Sequence, residues 1–425
     1  MYRLLLLLLV STYLAKAQTA EDLLQMNIEK MEEEYEKMDV PRLQLSYQSL
    51  LDDLGSRKRL DKQYHFFNDL RTELAKIDTA QLTDLAYLDY AILQHECQIH
   101  LQRIDLSQRF LATGKAVTDQ GIFHQPNGKA WYIFLMQWWT SADVSPDEMM
   151  AFGAAEVAKV KAAMEQIKLE TPNFDEDYAV AAFYTKDKAK VIAAIEQSAK
   201  KVDDLLFAAF PDFADLPKVN IAQGTNPALA QVPGFYSNNT FYFNLFEAPF
   251  DLRQVDWLFL HEGNPGHHFQ INYEALAERP AYRELFSYSG FREGWAAYIE
   301  NLGQELGLYS TPFHYCSKWE WDLIRSTRLI LDVGINYYGW TDEEALIEWQ
   351  KYIEGQDDIG RREIARMRRW PAQVLTYKVG ERAMMRAKAQ EEQRLGAAFD
   401  LKAFHTTLLA QASIPVKCIP LLFQD

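Results

Sequence analysis

Three of the nine histidines in this 425-residue chain, His261, His267 and His268, fall within eight consecutive positions, and Glu262 follows the first of them. Imidazole nitrogens are good zinc ligands, and a neighbouring carboxylate can take a proton from water. The grouping therefore has the parts of a metal-assisted hydrolase. In the usual zinc-peptidase helix the two histidines stand at i and i+4, with the glutamate directly after the first. Here the interval to the second histidine is two residues longer, and the insert reads Gly263-Asn264-Pro265-Gly266.

An unbroken helix would not bring these histidines together. At i+6 the second imidazole lies roughly 240° around the axis, and at i+7 it sits about 10.5 Å further along. Pro265 has no amide hydrogen, and its ring clashes with the carbonyl of residue i−4, which is His261. The flanking glycines permit unusual backbone angles. The helix is therefore expected to break between Glu262 and Gly266. The break returns either His267 or His268 to the side of His261.

Catalytic zinc takes three protein ligands and leaves one position open. Glu293, in the apolar segment FREGWAAYIENL (291–302), is the expected third ligand. Glu300, two turns on, can orient a ligating histidine or be a surface charge. A second His-Glu pair, in HECQIH (95–100), places its histidines five apart, roughly 140° around a helix. No helix breaker intervenes, and Leu85 to Leu101 reads as an ordinary packed helix.

The elements that must position these groups are helical. Val157, Val160, Met164 and Ile167 recur at spacings of three and four, as do Ile192, Ile195, Ala199 and Val202, and each set marks one apolar face. Ser145-Pro146-Asp147-Glu148 is a helix opening. Trp131 to Met136, with Trp138 and Trp139, reads as a helix buried on all sides. One stretch breaks the pattern. Phe235 to Leu245 has a Ser-Asn-Asn turn followed by alternating aromatic and polar residues, a hairpin signature. The expected fold is all-α, a large multi-helix domain with one short β hairpin near the active site. Residues 18–210 form an N-terminal helical region and 211–425 the catalytic one, or 18–425 form a single domain.

Residues 1–17 stand apart. Met1-Tyr2-Arg3, the leucine run Leu4 to Leu9 and Ala15-Lys16-Ala17 read as a signal peptide cut after Ala17, so a secreted or periplasmic protein is expected. The apolar run is too short to span a bilayer, and no cysteine follows the cut to carry a lipid. The net charge of −16 becomes −18 once Arg3 and Lys16 leave, which disfavours nucleic acid as a partner. Three scattered cysteines, Cys97, Cys316 and Cys418, allow one bridge at most. No later segment reaches membrane-spanning length.

The HExxPGHHxQ core and the EGWAxY helix resemble a large bacterial family of unknown function. That family is similar to the glutamate-type zincins: angiotensin-converting enzyme, thimet-type oligopeptidases and Taq-type carboxypeptidases. The resemblance covers roughly residues 130–385. It includes SPDEMMAFGAAEVAKVKAAM (145–164), TFYFNL (240–245), RLILDVGINYYGW (328–340) and PAQVLTYKVG (371–380). It implies His261, His267 and Glu293 as zinc ligands, Glu262 as the base acting on a zinc-bound water, and Tyr377 as donor to the oxyanion. It also implies a substrate-pairing edge strand at Phe241 to Asn244, with Tyr242 and Asn244 facing the substrate. His268, Arg328, Arg366 and Lys378 are candidates to hold substrate. The family often has histidine where this chain has Asn336, and glycine where it has Ala372. The implied function is a metallopeptidase of carboxypeptidase, dipeptidase or oligopeptidase type, acting on a peptide or small amide. The alternatives are a zinc hydrolase of non-peptide amides or esters, and a non-catalytic exported metal-binding protein.

Overall fold

The computed structural model describes residues 18–229 and 232–424, so the expected leader lies outside the described residues. Helices dominate and the strands are few and short. The periodic stretches fold as predicted. Helix Pro146–Glu170 opens on Ser145, whose hydroxyl accepts from the Glu148 amide, and it buries Val157, Val160 and Ile167. Helix Lys188–Ala209 buries Val191, Ile195, Val202 and Leu206. Helix Gly128–Thr140 buries Trp131, Tyr132, Phe134, Leu135, Met136 and Trp139. One apolar core extends from Ala20 to Ile419. All three cysteines are buried and unbridged, so the one bridge that composition allowed is not formed.

Two close helix contacts set the frame for the site. Helix Pro146–Glu170 packs along helix Pro312–Val333 with Gly153 at the contact, where a Cβ would lie 2.7 Å from Ile330 Cγ1. Helices Ser289–Glu305 and Leu375–Leu395 approach more closely still. A Cβ on Gly294 would sit 2.4 Å from the Gly380 Cα, and one on Gly380 would sit 1.9 Å from the Gly290 carbonyl oxygen. Backbones this near each other require glycine, and the contact brings the helix of Glu293 against the helix of Tyr377.

The hairpin forms as expected, Gly234–Ser237 pairing antiparallel with Thr240–Phe243. Asn238 and Asn239 turn the chain at φ 48° and 57°, the left-handed pair that a two-residue hairpin loop demands. The structure corrects its role. Strand Asn220–Gln223 pairs in parallel on the other side, so Thr240–Phe243 is the central strand of three. A strand with both edges occupied cannot add a substrate backbone. Tyr242 instead stacks on Phe235 with ring centroids 4.9 Å apart, and the Asn244 amide donates to the carbonyls of Leu229 and Val232.

Ala372 has φ 68°, in the left-handed region, and its amide donates to Asp332 Oδ2. An L-residue there is strained by about 1–2 kcal/mol, a strain that glycine would not carry. Ala372→Gly is expected to stabilise the protein by roughly 0.5–1 kcal/mol, after the entropy gained by the unfolded chain is offset. Thermal unfolding followed by circular dichroism checks this, and a lower Tm would contradict it.

Candidate functional site

Helix Val255–Glu262 is buried along its whole length, so the apolar run WLFL fixes where His261 and Glu262 emerge. The helix stops at Gly263, and a second helix, His267–Glu274, begins after Gly266. The break expected from Pro265 is present, and its tightness rests on Gly266. A Cβ there would meet the carbonyl oxygens of His261 at 2.1 Å and Leu260 at 2.2 Å. The chain folds back onto the end of the first helix, and the indole of Trp295 clamps it by donating to the Pro265 carbonyl at 2.8 Å. As a result the His261 and His267 rings lie 4.8 Å apart.

Glu293 meets both histidines. Its Oε2 lies 3.7 Å from His261 Nε2 and 3.6 Å from His267 Nε2. These separations are too long for good hydrogen bonds. They match ligand atoms around one tetrahedral ion, which at roughly 2.0–2.2 Å from the metal stand about 3.3–3.6 Å from each other. Glu262 is close too, since His261, Glu262 and His267 bring ligand atoms within 4.8 Å of one another. Of the two carboxylates we favour Glu293 as a ligand, because one of its oxygens spans both imidazoles. The donor set of two imidazoles and a carboxylate suits zinc. The cluster is reachable from solvent, with side-chain exposures of 26 % for Glu293 and 13 % for His267.

A second layer holds the first. His261 Nδ1–H donates to Glu300 Oε1 at 2.6 Å, and Arg325 donates to Glu300 Oε2 at 2.6 Å. The first bond leaves His261 Nε2 as the atom free for a metal. Burial opposes charge on His261, but Glu293 and Glu300 outweigh it and push its pKa up to about 9. Burial raises Glu293, but its two histidines hold it well below the usual carboxylate range. Glu300→Gln keeps the shape and one hydrogen bond but removes the charge behind His261. Zinc affinity is expected to fall about 10–100-fold, read by competition with a chromogenic chelator; unchanged affinity would remove Glu300 from the site.

Tyr377 lies over His261 with ring centroids 6.3 Å apart, on the helix that crosses the Glu293 helix at Gly380. Burial and then Glu293 push its hydroxyl pKa up, while Arg366, Arg328 and Arg325 pull the other way. The hydroxyl thus remains a proton donor.

Three expected substrate contacts fall elsewhere. His268 is fully buried, donates from Nε2 to the Pro217 carbonyl at 2.7 Å and packs edge-on against Tyr236, so it anchors a loop. Lys378 is fully buried among Glu156, Asp322 and Glu381 at 2.8–2.9 Å and ties three helices together. Arg328 is buried and paired to Glu363 at 2.6 Å. Of the basic candidates, Arg366 alone keeps some exposure, 19 %, with Glu363 no nearer than 3.9 Å. Asn336 is buried and donates to Asp332 and to the Met367 carbonyl, which makes it part of the support for Ala372.

Arg325 was not singled out from the sequence, although Arg325 and Arg328 at i and i+3 beside Leu323, Ile324, Leu329, Ile330 and Leu331 are a legible sign of buried carboxylate partners. Nor were Gly290, Gly294 and Gly380, whose small-residue spacing marks a close helix crossing.

A sequence profile described as "Bacterial protein of unknown function (DUF885)" matches residues 107–420. No functionally curated protein matches the chain. Among solved structures, "the putative lipoprotein from Colwellia psychrerythraea" is similar at 22% identity and TM-score 0.66, over 95% of this chain and 74% of that one. A structure of "a putative lipoprotein of unknown function from Shewanella oneidensis" is similar at 19% identity and TM-score 0.56, over 98% of this chain and 80% of that one. At these identities the likeness concerns the fold.

Proposed function

The chain belongs to this bacterial family, and we propose that it is a zinc-dependent hydrolase of the metallopeptidase type, related in mechanism to the glutamate-type zincins. The observation that carries the reading is the convergence of His261 Nε2 and His267 Nε2 on one oxygen of Glu293 at 3.6–3.7 Å, beside a glutamate that is left over. A structural zinc site closes with a fourth ligand and has no use for a spare base.

In this reading His261, His267 and Glu293 hold the ion. Zinc supplies a Lewis acid that polarises a carbonyl and acidifies water. Glu262 accepts the proton of the attacking water and delivers it to the leaving amine, a contribution on the order of 10²–10⁴ in rate. The Tyr377 hydroxyl donates to the oxygen on which negative charge develops. Glu300 and Arg325 keep His261 in one tautomer and orientation.

We also propose that the protein is exported. The pattern of residues 1–17 supports this, as do the lipoprotein descriptions of the two similar structures. Among the described residues no helix is long and apolar enough to cross a membrane.

The test is a digest of a mixed peptide library read by mass spectrometry, with and without a zinc chelator. Chelator-sensitive cleavage is expected. If no peptide is cut while simple esters or non-peptide amides are, the hydrolase reading stands and the peptide assignment falls.

A further inference from the structure

The other His-Glu pair occupies a different kind of place. Helix Asp84–Ala112 contributes His95, Glu96 and His100 to the lining of a partly open cavity of about 720 Å³, whose other walls include Tyr35, Trp138, Trp139 and Tyr288. This volume lies within the range of small-molecule sites. Glu96 is 4 % exposed and His100 2 %. A carboxylate so buried is strongly destabilised unless a cation or several donors meet it. Glu96 has one good donor, the Tyr288 hydroxyl at 2.8 Å, and a long approach of 3.4 Å from His100 Nε2. Among the described residues no lysine or arginine pairs with it. His100 Nδ1 is buried without a partner. The rim carries Glu36, Asp39, Glu284 and Arg42, with Asp39 paired to Arg59 at 2.8 Å and Glu284 4.0 Å from Arg279.

The place is not a second zinc site. Among the described residues the group of ligand atoms within 4.8 Å of one another is the one at His261. What the cavity offers is one buried carboxyl group with no lysine or arginine partner, whose pKa burial pushes up so that a cation must arrive to hold it ionised, together with acceptor nitrogens and aromatic faces, a combination that suits an organic cation. Burial holds the imidazoles of both His95 and His100 below their usual pKa, so they present acceptors and do not compete as cations.

We propose that this cavity binds a small primary amine, its ammonium group seated on Glu96 and its carbon chain against the Tyr35, Trp138 and Trp139 rings. The proposal is independent of the hydrolase reading, because none of the cavity's residues belongs to the His261 cluster.

The test is calorimetric titration of the full chain with 1,5-diaminopentane, with 1-pentanol as the uncharged comparison. One binding event per chain is expected, at least tenfold weaker for the alcohol and at least tenfold weaker in Glu96→Gln. Glu284→Gln changes an exposed rim charge without threatening the fold, and is expected to weaken the amine about two- to threefold. If Glu96→Gln does not fold, the alcohol comparison and the rim variant decide. Binding should persist in Glu262→Gln, which alters only the other site. No heat from the amine, equal affinity for the alcohol, or loss of binding in Glu262→Gln would each overturn the proposal.

Discussion

Glu262→Gln should leave zinc affinity and thermal stability close to those of the parent protein while hydrolysis falls about 10²–10⁴-fold, the range a positioned general base contributes. The reasoning is geometric. In the proposed site His261, His267 and Glu293 would complete a ligand set without Glu262, whose carboxylate lies near the same point with no other assigned partner. Glutamine matches its shape but cannot accept the proton. Chelator competition and a rate measurement on the same preparation separate the two effects. Near-normal turnover with zinc bound would remove Glu262 as the base. Loss of zinc would make it a ligand and return Glu293 to a supporting part.

The neighbouring histidines should respond in opposite ways. His267→Ala removes an imidazole that faces both His261 and Glu293, so zinc affinity should fall by more than the 10–100-fold typical of a supporting group, with little change in stability. His268→Ala removes a fully buried ring that donates to the Pro217 carbonyl. It leaves that carbonyl without its donor, and should lower stability by about 1–3 kcal/mol while zinc binding changes less than tenfold. Zinc affinity and urea unfolding, measured on both variants, give a crossed pattern. The reverse pattern would place the ligand at His268.

The helix break shows how far residue types alone reach. Pro265 between two glycines dictates that the helix cannot continue, and the spacing limits the fold-back to one of two histidines. The choice between them depends on how closely Gly266 approaches the carbonyls of Leu260 and His261, and that contact is the outcome of packing. Glu293 was legible because it stands among residues that must be buried. Lys378 was not, because its three acidic partners come from residues 156, 322 and 381, and their meeting is a property of the helix packing. The hairpin was legible from its turn chemistry, whereas the third strand at Asn220–Gln223 joins by a parallel pairing across a long connection. That pairing turned an expected edge into a centre. Arg325 carried a sign that could have been read, since a charged residue flanked by apolar ones such as Leu323 and Ile324 calls for a partner.

The most direct measurement is the zinc content of the purified protein, taken beside His261→Ala and Glu293→Ala after equal dialysis. About one zinc per chain is expected in the parent and little or none in either variant, with all three folded by circular dichroism. A parent protein without stoichiometric zinc after reconstitution, or zinc held equally well by both variants, would contradict this expectation.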